Sequence, residues 1–131
     1  MDFQENQWKI IRSYQETFGR DPREDELAAW LNDPQTEGKT YEQVVSQHIE
    51  FLVSARGSEE LREMIKRSYW AVFGREPAED ETLAWVNAVK TDGKTYHVIV
   101  GQHVDYMLSA AGSQEMVAAA LHRVPAAEYR T

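Results

Sequence analysis

Two histidines are the side chains in this sequence that are best suited to chemistry. His48 lies in the segment Ser-Gln-His-Ile-Glu-Phe and His103 in Gly-Gln-His-Val-Asp-Tyr, so each is followed two positions later by an acid. Residues i and i+2 do not face each other on a helix, so this spacing gives no metal-ligand pair within one helix. Helical periodicity instead places both histidines on apolar faces. They are therefore either buried histidines, bonded to a backbone carbonyl or a carboxylate, or parts of one polar site that joins the two.

Two Gly-Lys-Thr segments resemble the end of a phosphate-binding loop. The full motif needs a further glycine five positions before the last one, where Asp33 and Ala88 stand in this sequence. The preceding residues are not typical of a strand either, so we do not predict ATP binding. We interpret both segments as turns in which Gly38 or Gly93 has a positive φ and the following threonine caps the next helix.

Other patterns that carry catalysis are absent from the sequence. The chain has no cysteine, no pair of histidines at metal-ligand spacing, and no serine or threonine with a base at a recognisable distance along the chain. We therefore predict no enzymatic activity, no bound metal and no cofactor.

Composition limits the partners and the compartment. The 131 residues are 42% apolar with a formal net charge of −8, which suits a globular protein that repels nucleic acid and anionic lipid. The first ten residues lack the features of a signal peptide, and no apolar run is long enough to span a membrane. We predict a soluble cytoplasmic protein that binds neither nucleic acid nor membrane directly.

The chain matches itself when it is shifted by 55 positions. This shift aligns Tyr14 with Tyr69, and residues 10–60 align without a gap with residues 65–115. Roughly half of the aligned positions are identical, and the period exceeds that of common helical repeats, so each unit should hold three helices. We predict an all-α bundle of two tandem three-helix repeats, residues 1–57 and 58–112, followed by a short capping helix and tail, residues 113–131, in one compact domain.

Residues that start and stop helices divide each unit into three parts. Glycine ends the first helix, an acid followed by proline and then glutamate two residues later starts the second, and threonine caps the third. The seventh segment copies the start of the first helix and should run from 113 to about 123. The expected bounds are about 2–18 and 58–73 for the first helices, caps at Asp21 and Glu76 for the second, caps at Thr40 and Thr95 for the third, and Gly57 and Gly112 as the ends of the third.

One signature is common to both units and reads Y-x3-F-G-R-x-P-x3-E-x3-W. Its residues are Tyr14, Phe18, Gly19, Arg20, Pro22, Glu26 and Trp30 in the first unit, and Tyr69, Phe73, Gly74, Arg75, Pro77, Glu81 and Trp85 in the second. The signature resembles that of the bacterial domain of unknown function 4214 family, and it is similar to the linker domains of cyanobacterial phycobilisomes. The resemblance implies small helical modules without enzymatic activity, appended to secreted and cell-surface proteins in the first family and used in assembly in the second.

The signature residues have structural and functional interpretations. Each arginine follows a helix-ending glycine, so it can bond to the last carbonyls of that helix or to the signature glutamate, Glu26 or Glu81. Alternatively, Arg20 and Arg75 clamp a carboxylate or phosphate of a ligand. Trp30 lies on the apolar side of its helix, as does its counterpart in the second unit, and both are expected to be core anchors.

A non-catalytic protein-interaction or scaffold module is the function that we predict. Its partner contacts are expected where the units differ: Trp70 replaces Gln15 and Tyr106 replaces Phe51, although Trp70 could also fill a gap between repeats. Homo-oligomers and a linker-type assembly role are compatible with this prediction. One alternative is an acidic decoy, in which the carboxylates at 24–26 and 79–81 imitate nucleic acid and inhibit its binding protein. A third hypothesis is an enzyme or ligand carrier that uses the histidines and arginines.

Overall fold

A computed structural model describes residues 3–109, 112 and 117 of the chain. Within them the backbone forms six α-helices and two short 3₁₀ turns, Thr36–Gly38 and Ala55–Gly57, and no strand, so the predicted all-α class is confirmed. The capping helix predicted from 113 to about 123 lies outside the described residues, except for Val117. The helices are α1 (Phe3–Phe18), α2 (Glu24–Asn32), α3 (Tyr41–Val53), α4 (Ser58–Phe73), α5 (Glu79–Asp92) and α6 (Tyr96–Met107).

One apolar core joins the helices. In the first half of the chain α1 packs against α2 and α3, and in the second half α4 packs in the same way against α5 and α6. The halves also touch, because α1 contacts α4 and α6, and α3 contacts α4 and α5. The fully buried apolar side chains are Ile10, Val44, Leu52, Leu61, Met64, Ile65, Val89 and Ile99.

The third helices begin at the residues expected of them. Thr40 Oγ1 accepts a hydrogen bond from the N–H of Gln43 at 3.1 Å, and Thr95 Oγ1 accepts one from Val98 at 3.2 Å. Each threonine thereby satisfies a backbone donor that the first turn of the helix leaves without a partner. Both predicted caps are confirmed.

The second helices begin later than predicted. Their N-caps are Arg23 and Ala78, and the N–H of Arg23 donates to the carboxylate of Glu26 at 2.8 Å. The prediction of Asp21 as the cap is wrong, because α2 starts only at Glu24; the Asp21 carboxylate accepts a hydrogen bond from Gln15 Nε2, at 2.8 Å. The corresponding prediction of Glu76 is wrong for the second half, where α5 starts at Glu79.

The glycines at the ends of the third helices have another role than the predicted one. Helix α3 ends at Val53 and α6 at Met107, before Gly57 and Gly112 are reached. A Cβ atom at Gly57 would overlap the carbonyl oxygen of Phe51, and one at Gly112 would overlap the corresponding carbonyl of Tyr106. These two glycines allow the chain to pass close to the end of the preceding helix.

The two halves differ in the length of the second helix. Helix α2 has 9 residues and α5 has 14, because Pro34 stands in the position of Val89 and a proline interrupts the hydrogen bonding of a helix. Gly93 ends α5 with φ +68°, as predicted, whereas Gly38 belongs to a 3₁₀ turn and has no positive φ. The predicted conformation of Gly38 is therefore wrong. None of the described helices has the length and apolar character needed to cross a membrane.

Candidate functional site

His48 lies inside the first half, at the contact of α3 with α1. Its Nε2 atom is 2.9 Å from Ser13 Oγ, and Ser13 donates its own hydrogen to the carbonyl of Ile10 at 2.7 Å. Because the hydroxyl hydrogen is used in that bond, the serine oxygen accepts, and the imidazole carries its proton on Nε2. His48 is 4% exposed and Ser13 is fully buried. The partner is thus a serine hydroxyl and not the predicted carbonyl or carboxylate.

Three aromatic rings enclose the His48 imidazole. The centroids of Tyr14, Phe18 and Trp30 lie 4.6, 4.8 and 5.2 Å from the centroid of the histidine ring. Trp30 Nε1 donates to Tyr14 Oη at 3.2 Å, which fixes the indole against the core. Trp30 and Trp85 are both half-buried, so they border the core and are not enclosed by it as the sequence led us to expect.

The same cluster is found in the second half. His103 Nε2 lies 3.0 Å from Ser68 Oγ, and its ring is 4.6, 4.8 and 4.9 Å from three aromatic centroids. These rings belong to Tyr69, Phe73 and Trp85, and Trp85 Nε1 donates to Tyr69 Oη at 3.0 Å. Each histidine therefore has its own serine and its own aromatic rings, and the structure does not bring the two into one site.

Both imidazoles are neutral at physiological pH. Burial disfavours the charged form and lowers the pKa of His48 to about 4 and that of His103 to about 4 as well. Glu26 near the first histidine and Glu81 near the second act in the opposite direction but do not compensate for burial. A neutral, buried imidazole that donates to a serine is typical of core packing.

The two signature arginines pair with the signature glutamates. Arg20 contacts Glu26 through both terminal nitrogens, at 2.8 and 3.0 Å, and Arg75 contacts Glu81 in the same bidentate way, at 2.8 and 3.1 Å. Each guanidinium also lies over the ring of the signature tyrosine, 5.4 Å from the centroid for Arg20 and 5.3 Å for Arg75. The arginines thus connect the end of one helix to the start of the next.

Glu60 extends this arrangement across the two halves. It lies on α4 and accepts hydrogen bonds from Arg20 Nη2 at 2.6 Å and from Arg67 Nη2 at 2.8 Å. Burial tends to raise the pKa of Glu60, but the hydrogen bonds from the two arginines outweigh it and lower the pKa overall. Arg67 Nε also donates to the carbonyl of Phe18 at 3.0 Å, at the end of α1. Sequence reasoning missed Glu60 and Arg67. The equivalent positions of the first half, 55 residues earlier, also hold a glutamate and an arginine, and this recurrence is a signal that could have found them.

A cavity of about 340 Å³ lies beside His103. Its walls are mainly aromatic, and its two charged side chains, Arg75 and Glu81, are already bonded to each other. Within the part of the chain that the structure describes, no group of three or more histidine or acidic side chains is placed to hold a metal ion. The lining residues are Tyr69, Phe73, Arg75, Glu81, Trp85, Gln102, His103 and Tyr106.

Large aromatic side chains lie on the surface where the two halves differ. Trp70 is 52% exposed and Tyr106 is 48% exposed, although the Tyr106 ring also has an edge contact with Phe73 at 6.2 Å. Trp8 is 61% exposed and occupies the position that Glu63 has in the second half. Sequence reasoning predicted Trp70 and Tyr106 as partner contacts and missed Trp8, which the same comparison of the two units would have found.

Comparisons of the chain with protein-family models, curated proteins and solved structures find no match. The resemblance of the signature to the domain of unknown function 4214 family therefore stays a prediction.

Proposed function

We propose that this chain consists of two tandem three-helix repeats that act together as a non-catalytic protein-interaction module. The single observation that carries this proposal is the exposure of Trp8 and Trp70, two tryptophans at positions where the other repeat has a polar residue. Tryptophan is enriched among the interface residues that contribute most of the binding energy between proteins. Two exposed tryptophans therefore favour a protein interface.

The groups that could perform chemistry support this choice by being engaged inside the fold. His48 and His103 bond to buried serines, and Arg20 and Arg75 bond to glutamates of the same repeat. Both arrangements recur at the same spacing, and in each repeat they join side chains of neighbouring helices to one another, which favours a structural role. We therefore propose that the protein has no catalytic activity of its own.

An acidic decoy is less well supported by the arrangement of the carboxylates. Glu26 and Glu81, one in each acidic run, are held by Arg20 and Arg75. Of the exposed acids that remain, Glu79 pairs with Arg62 at 3.1 Å. All of them lie in the first turns of α2 and α5, where the helix dipole stabilises negative charge.

The two tryptophans can be tested by exchanging each for the residue that the other repeat has. The chain is immobilised, treated with a cross-linker in an extract of the cells in which it occurs, and the captured proteins are identified by mass spectrometry. We expect Trp8→Glu with Trp70→Gln to lose a protein that the parent chain captures, without a change in melting temperature, because neither side chain lies in the core.

A matched control is Leu83→Ala, which removes an apolar side chain of similar exposure, 46%, and likewise introduces the residue of the other repeat. This control should keep the captured protein. Equal capture by the tryptophan variant and the parent chain would reject the proposal.

A further inference from the structure

The second repeat shows how a repeat covers the end of a helix. The ring of Tyr96, at the start of α6, lies so close to Gly19 that a Cβ atom there would overlap it. Arg67 donates to the carbonyl of Phe18 at 3.0 Å, and Glu60 accepts from Arg20 at 2.6 Å. The helix end is thus bound at three points: the aromatic ring covers the glycine, the cation binds the last carbonyl of α1, and the anion binds the arginine that follows.

The first repeat carries the same three residue types at the same spacing. Glu5, Arg12 and Tyr41 stand 55 positions before Glu60, Arg67 and Tyr96. Together with Trp8, Lys9 and Glu16 they line a surface groove of about 810 Å³. We call this surface the α1–α3 groove.

We propose that the α1–α3 groove binds the C-terminal end of a helix that finishes in an aromatic residue, glycine and arginine and belongs to another protein. The two helix ends of this kind in the chain itself are already covered, since Tyr96 lies against Gly19 and Gly74 is buried. This inference rests on the proposed function and names the chemistry of the partner.

Charge and shape in the α1–α3 groove are complementary to such a helix end. Arg12 is suited to the last carbonyls, which carry the negative end of the helix dipole, and Glu5 is suited to the arginine. The Tyr41 ring offers a flat surface against which only a glycine backbone fits closely, and its hydroxyl donates to the carbonyl of Arg12 at 3.4 Å. Trp8 adds apolar area that the second repeat, with Glu63, does not have.

A three-repeat chain tests the proposal. Residues 1–57 are placed directly before residue 3 of the full chain, so that the α1 end of the added repeat meets the α1–α3 groove of the original one. In this fusion Tyr41→Ala, made in the original repeat, is expected to lower the melting temperature at least twice as much as in the full chain alone. The reason is that Tyr41 covers a helix end only in the fusion.

Two glycine variants of the added repeat serve as the control pair. Gly19→Val should abolish the additional effect of Tyr41→Ala. In the chain itself a side chain at Gly19 would collide with the Tyr96 ring, and in the fusion the ring at the equivalent place is that of Tyr41. Gly38→Ala should preserve it, because no atom lies within 4 Å of the Cβ position there. Hydrogen exchange of the fusion measures directly whether the added repeat is folded.

Three outcomes would overturn the proposal: an added repeat that stays unfolded on a folded chain, an equal effect of Tyr41→Ala in both chains, or a dimer of the full chain in sedimentation that Tyr41→Ala abolishes. The dimer would show that a second copy occupies the groove.

The fusion and the capture experiment together separate this inference from the proposed function. If the fusion fails but the parent chain captures a protein that the tryptophan variant does not, only the proposed helix-end chemistry is rejected. Success of the fusion without any captured protein would reject the interaction role in the cell and leave the groove chemistry standing.

Discussion

Neutral imidazole is the form of His48 and His103 that the fold stabilises. Each ring is surrounded by aromatic carbon and donates to a serine whose own hydrogen is bonded to a backbone carbonyl, that of Ile10 for Ser13 and that of Ile65 for Ser68, so an additional proton would be buried without adequate compensation. This makes the stability of the protein sensitive to pH between the pH at which a free histidine takes up a proton and the lower pH at which these buried histidines do.

Lowering the pH from 7 to 5 is expected to reduce the free energy of unfolding by about 1–2 kcal/mol per histidine. The unfolded chain protonates its histidines near pH 6.5, whereas the folded protein takes up these protons only near pH 4. The contribution of the neutral histidines to stability is therefore complete above about pH 6.5 and is lost as the pH falls from there to about pH 4. Urea unfolding, followed by tryptophan fluorescence at several pH values, measures the effect.

The variant His48→Phe should remove about half of this pH dependence, because it keeps a ring in the cluster and removes the titrating group. His97→Ala is the control, since it removes an exposed histidine that belongs to neither cluster. An unaltered slope in His48→Phe would contradict the assignment of His48 as a buried neutral histidine.

Thr17 is a second residue whose burial has a measurable consequence. Its side chain is fully buried, and Oγ1 has no hydrogen-bond partner among the described residues. The corresponding residue of the second half is Val72, which is 6% exposed. Thr17→Val is therefore expected to stabilise the protein by about 1 kcal/mol and to raise its melting temperature by about 3–5 °C.

The reciprocal substitution Val72→Thr provides the matched comparison and should destabilise by about 1–2 kcal/mol. Differential scanning calorimetry of both variants decides the point. If Thr17→Val melts below the parent chain, the Thr17 hydroxyl has a partner that stabilises it.

At the scale of single elements, helix ends carry the most specific contacts of the fold. Gly19 and Gly93 both end or follow a helix with positive φ, at +73° and +68°. Only Gly19 lies directly against a side chain of another element, the ring of Tyr96, whereas the nearest atom to a Cβ at Gly93 would be 3.5 Å away on Ile49. The two positions therefore separate the cost of backbone strain from the cost of lost helix packing.

Gly19→Ala is expected to destabilise the protein by about 2–4 kcal/mol, and Gly93→Ala by about 1–2 kcal/mol. Both variants bear the strain of a left-handed conformation, and Gly19→Ala in addition displaces Tyr96. Chemical denaturation of the two variants gives the difference. Equal destabilisation would mean that Tyr96 adjusts without cost and that the contact between α1 and α6 is loose.

Local sequence signals predicted the elements well where nothing else competed for the same groups. The caps at Thr40 and Thr95 were predictable because each threonine bonds to a backbone N–H only three residues later in the sequence. Asp21 does not cap α2, because the helix starts at Glu24 and the N–H of its N-cap, Arg23, donates to the Glu26 carboxylate. The conformation predicted for Gly38 is wrong because Pro34 shortens the second helix in the first half only.

The candidate sites were predictable in part for the same reason. Helical periodicity placed His48 on a buried face, but its partner Ser13 lies 35 positions away and on another helix. Spacing within one helix cannot find such a pair. The recurrence of serine at 13 and 68 is a signal that comparison of the two halves of the sequence could have used.

At the scale of the whole molecule, two polar side chains of α4 connect the two halves. Glu60 belongs to α4 but accepts from Arg20, which follows α1, and its side chain is only 14% exposed. Arg67 connects the same two elements through the Phe18 carbonyl. Loss of the Glu60 charge therefore weakens the contact between the halves more than the interior of either half.

Glu60→Gln is expected to cost about 2 kcal/mol, since it removes a charge-assisted contact to two arginines while Arg20 keeps its pair with Glu26. Urea unfolding measures this loss, with exposed Glu59→Gln as the control that should stay within about 0.5 kcal/mol of the parent chain. Hydrogen exchange adds the spatial test: in Glu60→Gln, amides at the end of α1 should exchange faster, while those in the middle of α3 and α6 change only with the global stability. Uniform acceleration throughout the chain would show instead that Glu60 stabilises the whole fold and does not specifically connect its halves.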